Sequence, residues 1–341
     1  MNVLIISVIV SFFTTFIITP NVMRFLYVAG VVGLDIHKKN KPKLPASGGI
    51  CTASGILTGL LTFVGIKTFV YGIQIMSIYL LAVVSSILLV TFIGLLDDLN
   101  VKSKPVPTKD GKNIKIGFPQ WVKPLLTLPA AIPLMVISAG DTTMAIPFIG
   151  DVNFGIVYPL LLVPIGGVGA SNMVNMLGGF NGVEAGMGIV YTLSLGLLAL
   201  TYNKEIAAII FLSTFASLLA FIKFNWYPAQ ILPGDSLTYL LGSIVVVGVI
   251  IGNMERAGII VMFPFLVQGV LKFYSLIKMK SFASDLGVLQ KNGSIKSRYG
   301  KNIYSLTHVL MRIKPMGEKQ ITITLILIQI FFSIIPFLDI L

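Results

Sequence analysis

The chain has 341 residues, 55% of them hydrophobic and only 11% charged. Soluble domains carry about 25% charged residues, so the composition excludes an ordinary soluble fold and points to an integral membrane protein. One cysteine, Cys51, excludes an intrachain disulfide and a multi-cysteine metal site, and two histidines, His37 and His308, leave a histidine-rich site without ligands. The net charge of +12 reads, in such a chain, as basic loops facing the cytoplasm and anionic lipid rather than as a nucleic-acid surface.

A helical span needs roughly 20 mostly apolar residues. Apolar segments follow one another at about 2–20, 49–69, 74–96, 121–138, 154–171, 183–201, 204–222, 236–252, 257–277 and 320–340. The first lacks a basic n-region and a small-residue cleavage site, and is read as a retained span. The fourth and fifth are short and contain proline, and DTTMAIPFIGDVNF (141–154) between them alternates loosely, which predicts a small hairpin. No soluble domain, low-complexity tract or internal repeat stands out, so 1–341 is read as one polytopic domain. The expected fold is all-α with about ten transmembrane helices, and such a count places both termini on one side. Of the 25 Lys and Arg, all but Lys67, Lys204 and Arg256 fall near odd-numbered connections; connection three carries Lys102, Lys104, Lys109, Lys112, Lys115 and Lys123. By the positive-inside rule those connections are cytoplasmic and the termini lie outside.

The polar residues sort with the lysines. Asp97 and Asp98 close the third segment, in TFIGLLDDLN, and Lys123 opens the fourth. Two carboxylates at a helix C-terminus and a cation at an N-terminus both oppose the helix dipole, which predicts partners elsewhere in the fold. NMVNMLGGFNGVEAG (172–186) offers Asn172, Asn175, Asn181 and Glu184 among glycines that let backbone N–H groups approach a ligand; a bland turn is the other reading. Asp235, after Pro233-Gly234, is either a helix cap or a metal or phosphate ligand. His308 and Arg312, four apart, would share a helical face, as a surface pair or as part of a site. Acids, amides and lysines gathered on one face, with no soft ligands, suit Mg²⁺ or Mn²⁺ and phosphate. No Walker-type glycine loop is present. The chemistry expected from these residues is a transfer from a soluble phosphate donor to a lipid. An ion-coupled transporter and a metal-dependent lipid phosphatase are the rivals.

At these residues the chain resembles the polyprenyl-phosphate N-acetylhexosamine-1-phosphate transferases. Asp97-Asp98 matches that family's aspartate pair, Lys123 in WVKPLLTLP its lysine, and NMVNMLGGFNGVEAG and NWYP…PGDS the eukaryotic form of its later motifs. The compact last connection is similar to the prokaryotic layout, and its lone histidine, His308, argues against a peptide-bearing MurNAc substrate. A dolichol-using enzyme of archaeal type fits the mixture. The resemblance implies ten spans, a cytoplasmic site in the cell membrane, and transfer of GlcNAc-1-phosphate, or another HexNAc phosphate, from the UDP-sugar to polyprenyl (dolichyl) phosphate with release of UMP. It places Mg²⁺ on Asn175 and Asp235, and uridine near Asn181, Gly179 and Leu232. Lys123, Asp97 and Asp98 would lie around the phosphates, with His308 and Arg312 near the sugar phosphates. Asn172 and Glu184 are counted with the substrate-binding residues, and a homodimer is an allowed assembly.

Overall fold

The computed structural model describes residues 2–72, 75–100, 106–107, 113–114, 122–146 and 150–338. The lysines expected between Lys102 and Lys115 lie outside the described residues. Helix α1 (Asn2–Val28) is followed by the strand pair β1 (Val32–Leu34) and β2 (Lys43–Pro45), then α2 (Gly49–Phe69) and α3 (Ile75–Asn100). After β3 (Val106–Pro107) and β4 (Asn113–Ile114) comes a proline-broken segment. It runs as α4 (Val122–Thr127), a 3-10 turn (Leu128–Ala131) and α5 (Ile132–Val136). The expected hairpin forms from β5 (Thr143–Ile146) and β6 (Gly150–Asn153), paired antiparallel. A π-turn at Tyr158–Leu162 leads into α6 (Val163–Asn175), α7 (Val183–Thr201), α8 (Glu205–Asn225) and α9 (Gly234–Gly252). Next are α10 (Glu255–Val261), α11 (Phe263–Met279), the small hairpin β7 (Val288–Leu289) with β8 (Ile295–Lys296), α12 (Leu306–Ile313) and α13 (Glu318–Leu338).

The protein is mostly helical. Among the described residues seven helices are long and apolar enough to cross a membrane, or up to eight if the α10–α11 pair, bent by 62°, is one span. The fourth and fifth expected spans are the difference: prolines at 129 and 133, and at 159 and 164, remove backbone donors and leave short or irregular pieces. The long helices are apolar all round, as lipid on one side and protein on the other require. Most of α7, α8 and α9 is buried, whereas α1, α3 and α13 bury well under half of their residues, so the first three form the centre and the others the rim.

Packing of the rim helix α1 against α2 uses small residues. Ser7, Ser11, Thr15 and Thr19, four apart, form the buried stripe of α1. It faces Gly55 and Gly59 of α2, where a Cβ would lie 1.9 Å from Thr15 Oγ1 and 1.8 Å from Ser11 Oγ. Backbones approach closely at such stripes, and this replaces the hydrophobic drive that lipid cannot supply. At the α10–α11 break the freed carbonyl of Val261 accepts a hydrogen bond from the buried Gln329 Nε2 of α13 at 3.0 Å.

Candidate active site

Helix α3 ends beside the start of α9. Asp98 Oδ1 accepts the backbone N–H of Asp235 at 2.8 Å, and Oδ2 that of Ser236 at 3.2 Å. The first N–H groups of a helix have no intrahelical acceptor, so a carboxylate from another helix caps α9 and meets its positive end. The approach is close. A Cβ on Gly94 would stand 2.4 Å from Ser236 Cα, and one on Gly234, whose φ is +71°, 2.4 Å from Asp98 Oδ2.

Asp97 is buried and points to the same place. Its Oδ2 lies 2.7 Å from Lys123 Nζ and accepts the Tyr239 hydroxyl at 3.0 Å. Lys123 also donates to Asp235 Oδ2 at 3.0 Å. One ammonium thus joins the end of α3, the start of α4 and the start of α9. Thr238 Oγ1 lies 3.1 Å from Asn175 Oδ1, at the end of α6, and 3.2 Å from the Asp235 carbonyl. Asp97, Asp98, Lys123, Asn175 and Asp235 are therefore brought together, although Asp98 and the Ser236 N–H that it accepts are 138 positions apart in the chain. Asn172 stands one turn back, donating to Thr127 Oγ1 at 3.2 Å and to the Val168 carbonyl at 2.8 Å, and so ties α6 to α4.

A second cluster surrounds the glycine-rich loop. Gly179, with φ +89°, donates its N–H to Glu184 Oε1 at 2.7 Å, which folds the loop onto the first turn of α7. Asn181 is buried, and three of its polar atoms are engaged. Its N–H donates to Glu318 Oε1 at 2.9 Å, its Nδ2 to Asp35 Oδ2 at 3.0 Å, and its carbonyl accepts Thr322 Oγ1 at 3.1 Å. Lys38 pairs with both carboxylates, at 3.3 Å from Asp35 Oδ2 and closely on Glu318, and lies 4.0 Å over the Tyr227 ring. His37 stacks on Phe180 at 4.8 Å between centroids, and burial pushes its imidazole pKa down to about 4. Leu232 is held through its backbone, donating to the Pro45 carbonyl at 2.8 Å and accepting Gly48 N–H at 3.1 Å.

The last connection packs over this loop. A Cβ on Gly179 would meet Leu286 Cδ2 at 2.6 Å. Buried Gln268 of α11 fixes the connection, with Nε2 donating to the carbonyl of Met176, next to Asn175, and to Asp285 Oδ1 at 2.8 Å, while its Oε1 accepts Leu306 N–H at 2.9 Å. His308 is spent inside this connection: Nδ1 accepts the Tyr304 N–H at 3.2 Å and Nε2 sits 2.9 Å from the Ser284 carbonyl. Burial lowers its pKa. Arg312, in contrast, is exposed and donates to the Lys301 carbonyl at 3.1 Å. The expected shared face of His308 and Arg312 therefore divides, one side chain packed inward and the other in solvent.

Tyr239, Thr238, Gln268, Asp35, Lys38 and Glu318 did not stand out in the sequence. Thr238 and Tyr239 were within reach, because they follow Asp235 by three and four residues on one helical face. Among the described residues no group of three or more His, Cys, Asp or Glu is arranged to hold an ion by itself. The donors present are hard oxygens of Asp235 and Asn175 in a cluster that binds cationic Lys123. That fits Mg²⁺, which keeps several waters and takes one or two protein ligands plus substrate phosphate.

These features define a polytopic membrane protein with a polar, phosphate-suited site at its helix ends. The profile of glycosyl transferase family 4 matches residues 80–253, and the chain belongs to that family. It is 34% identical over 335 residues to a protein of Saccharolobus solfataricus, covering 97% of this chain and 95% of the relative. That relative carries the provisional name UDP-N-acetylglucosamine–dolichyl-phosphate N-acetylglucosaminephosphotransferase. The Dictyostelium discoideum protein of that name is 24% identical, over 95% of this chain and 85% of its own length. A phospho-N-acetylmuramoyl-pentapeptide-transferase of Halalkalibacterium halodurans is 26% identical, over 82% and 84%.

Proposed function

We propose that the protein transfers N-acetylglucosamine-1-phosphate from UDP-GlcNAc to a dolichyl or related polyprenyl phosphate and releases UMP. The observation that carries this reading is the Asp97–Lys123–Asp235 ion-pair chain beside Asn175, in a chain that matches a dolichyl-phosphate transferase relative over nearly its whole length. With the basic connections inside, the site would face the cytoplasm of the cell membrane.

Asn175 and Asp235 would hold Mg²⁺, which when bound neutralises diphosphate charge. A lipid phosphate oxygen forms the new bond to the sugar-linked phosphorus, and the bond from that phosphorus to the bridging oxygen breaks as UMP leaves. A phosphate monoester with a second pKa near ~6 is already largely ionised at neutral pH, so no base is required. Lys123 meets the charge growing on the transferred group, with its ammonium aimed by Asp97 and Tyr239. Asp98, bonded through both oxygens to backbone N–H groups, sets Asp235 in place. Asp98 commits both of its oxygens to backbone N–H groups, which disfavours a covalent phosphoryl intermediate on that residue and supports direct displacement. Gly179 and Asn181 would meet the uridine, with Leu232 against the base and Glu184 holding the loop. Asn172 would steady the α6 end that carries Asn175. His308 takes a positioning part in the last connection, and the exposed Arg312 would meet the sugar phosphate.

The transport reading has no feature in its favour, because the carboxylates gather at helix ends rather than along a path through the bundle. The test is purified protein with dolichyl phosphate, Mg²⁺ and a panel of UDP-sugars, scored for UMP and lipid-linked sugar. Strongest turnover with UDP-GlcNAc supports the reading. No UMP from any UDP-sugar, or release of inorganic phosphate from the lipid instead, would overturn it.

A further inference from the structure

Helix α11 turns its polar side inward. Val270, Phe273, Tyr274 and Ile277 are exposed, whereas Gln268, Lys272 and Ser275 are buried. Lys272, a charge only 3% exposed, has no part in the chemistry above. Its Nζ lies 2.7 Å from Asp285 Oδ1 and donates to the Ala283 carbonyl, while Ser275 Oγ accepts the Ala283 N–H at 3.0 Å. Helix α11 thereby grips the start of the last connection. A buried ion pair adds little net stability over well-packed apolar residues of the same size, because both charges give up their water. What such a pair can do is fix a position.

The position fixed here is that of the Gln268 amide, one helical turn before Lys272 and on the same face. Ionised Asp285 is acceptor-only, so the Gln268 atom 2.8 Å from its Oδ1 is Nε2. The other N–H of that amide then goes to the Met176 carbonyl at 2.6 Å, and Oε1 accepts the Leu306 N–H at 2.9 Å. Turned over, the amide would set oxygen against oxygen at Asp285 and at Met176, and N–H against N–H at Leu306. Met176 follows Asn175 at the end of α6, and Leu306 opens α12, the helix of Arg312. Thr307 Oγ1 adds a bond to the Asp285 carbonyl at 2.9 Å.

We propose that Lys272 and Asp285 are positioning residues: by fixing which way the Gln268 amide faces, they join the Asn175 end of α6 to the start of α12 as one unit. The effect on turnover rests on the transfer reading above; the joint itself does not.

The test uses the full-length protein in nanodiscs, followed by hydrogen–deuterium exchange and by UMP release. In the unaltered protein the segments 176–182 and 305–309 should open together on warming, as one cooperative unit. Opening of either segment independently would overturn the inference, and this arm needs no variant. The informative variant exchanges acid and amide, Gln268→Glu with Asp285→Asn. Lys272 keeps a carboxylate partner one turn back on its own helix, Leu306 keeps an acceptor, and only the N–H given to Met176 is lost. This protein should melt close to wild type, yet take up deuterium faster over 176–182. Its turnover should fall by about 10–100-fold, the range for loss of a partner behind a metal ligand, with the KM for dolichyl phosphate unchanged. Lys272→Met should act in the same direction, and Lys272→Arg should restore both readouts. Wild-type exchange and turnover in the folded exchange variant would overturn the inference. Absence of UMP release from the unaltered protein would bring down the transfer reading, and the deuterium uptake would still decide the joint.

Discussion

The Asp98 carboxylate closes the last turn of α3 and, through both of its oxygens, caps the first turn of α9, so that Asp235 stands where Asp98 holds its backbone. A charge unfavourably placed on its own helix is favourably placed on the next one. This explains why an acid can sit at the C-terminal end of an apolar helix, and it separates the two members of the pair. Asp97 holds a cation, and Asp98 holds a helix.

Asp98→Ala leaves two backbone donors without an acceptor and frees the first turn of α9. The expected cost is about 1 kcal/mol of stability from the lost cap and a fall in turnover of about 10–100-fold, the range seen when the partner behind a metal ligand is removed. Asp98→Asn keeps one carbonyl oxygen and should lie between. Thermal unfolding in detergent and UMP release measure the two effects separately; wild-type turnover in a folded Asp98→Ala protein would contradict the capping role.

Lys123→Met should lower turnover by about 10²–10³-fold, as expected for loss of an aimed charge-stabilising donor. It also leaves the buried Asp97 and the half-buried Asp235 without their cation, so stability should drop by roughly 1–3 kcal/mol. Adding Asp97→Asn to Lys123→Met should recover part of the stability and none of the turnover. A double variant no more stable than the single one would show that the ion pair carries little of the fold.

Gly234→Ala meets two obstacles, a positive φ of +71° and a contact of 2.4 Å with Asp98 Oδ2. A side chain in the left-handed region costs about 1–2 kcal/mol by itself, and the displaced Asp98 adds lost turnover. Gly65→Ala, where a Cβ would meet nothing within 4 Å, should be neutral or slightly stabilising in the same melting assay. Equal behaviour of the two variants would contradict the tight fit between α3 and α9.

His37 supplies an acid sensitivity that can be assigned. Burial holds its folded-state pKa at about 4, against an unfolded value near 6.5. The unfolded chain therefore takes up the proton first as pH falls, and stability is lost between those two values, amounting to about 2 kcal/mol between about pH 7.5 and about pH 5. His37→Phe, which keeps the stack on Phe180, should flatten the melting temperature over that interval relative to wild type. An unchanged slope would place the sensitivity in another group.

Much of the site was legible because charge and helix polarity are written in the chain. Asp97, Asp98 and Lys123 each oppose the dipole of their own helix, and each is found with a partner on another element. The hairpin at 143–153 followed from the loose alternation of its residues. The two proline-rich segments read as spans from apolar content, but proline breaks them into short helices and turns, a backbone effect that hydropathy does not register. The Asn181–Asp35 bond joins residues 146 apart in the chain; no local pattern encodes it, and His37 is part of that buried cluster. The pairing of His308 with Arg312 failed as a shared face because both nitrogens of the histidine are drawn into the last connection, whereas the longer arginine reaches outward.

The most direct measurement follows the phosphorus. UDP-GlcNAc labelled at its sugar-linked phosphate, incubated with purified protein, dolichyl phosphate and Mg²⁺, should yield label in a lipid product that also contains the sugar, and unlabelled UMP in equal amount. Label appearing as inorganic phosphate, or remaining in the nucleotide while sugar moves to the lipid, would contradict the transfer of an intact sugar phosphate.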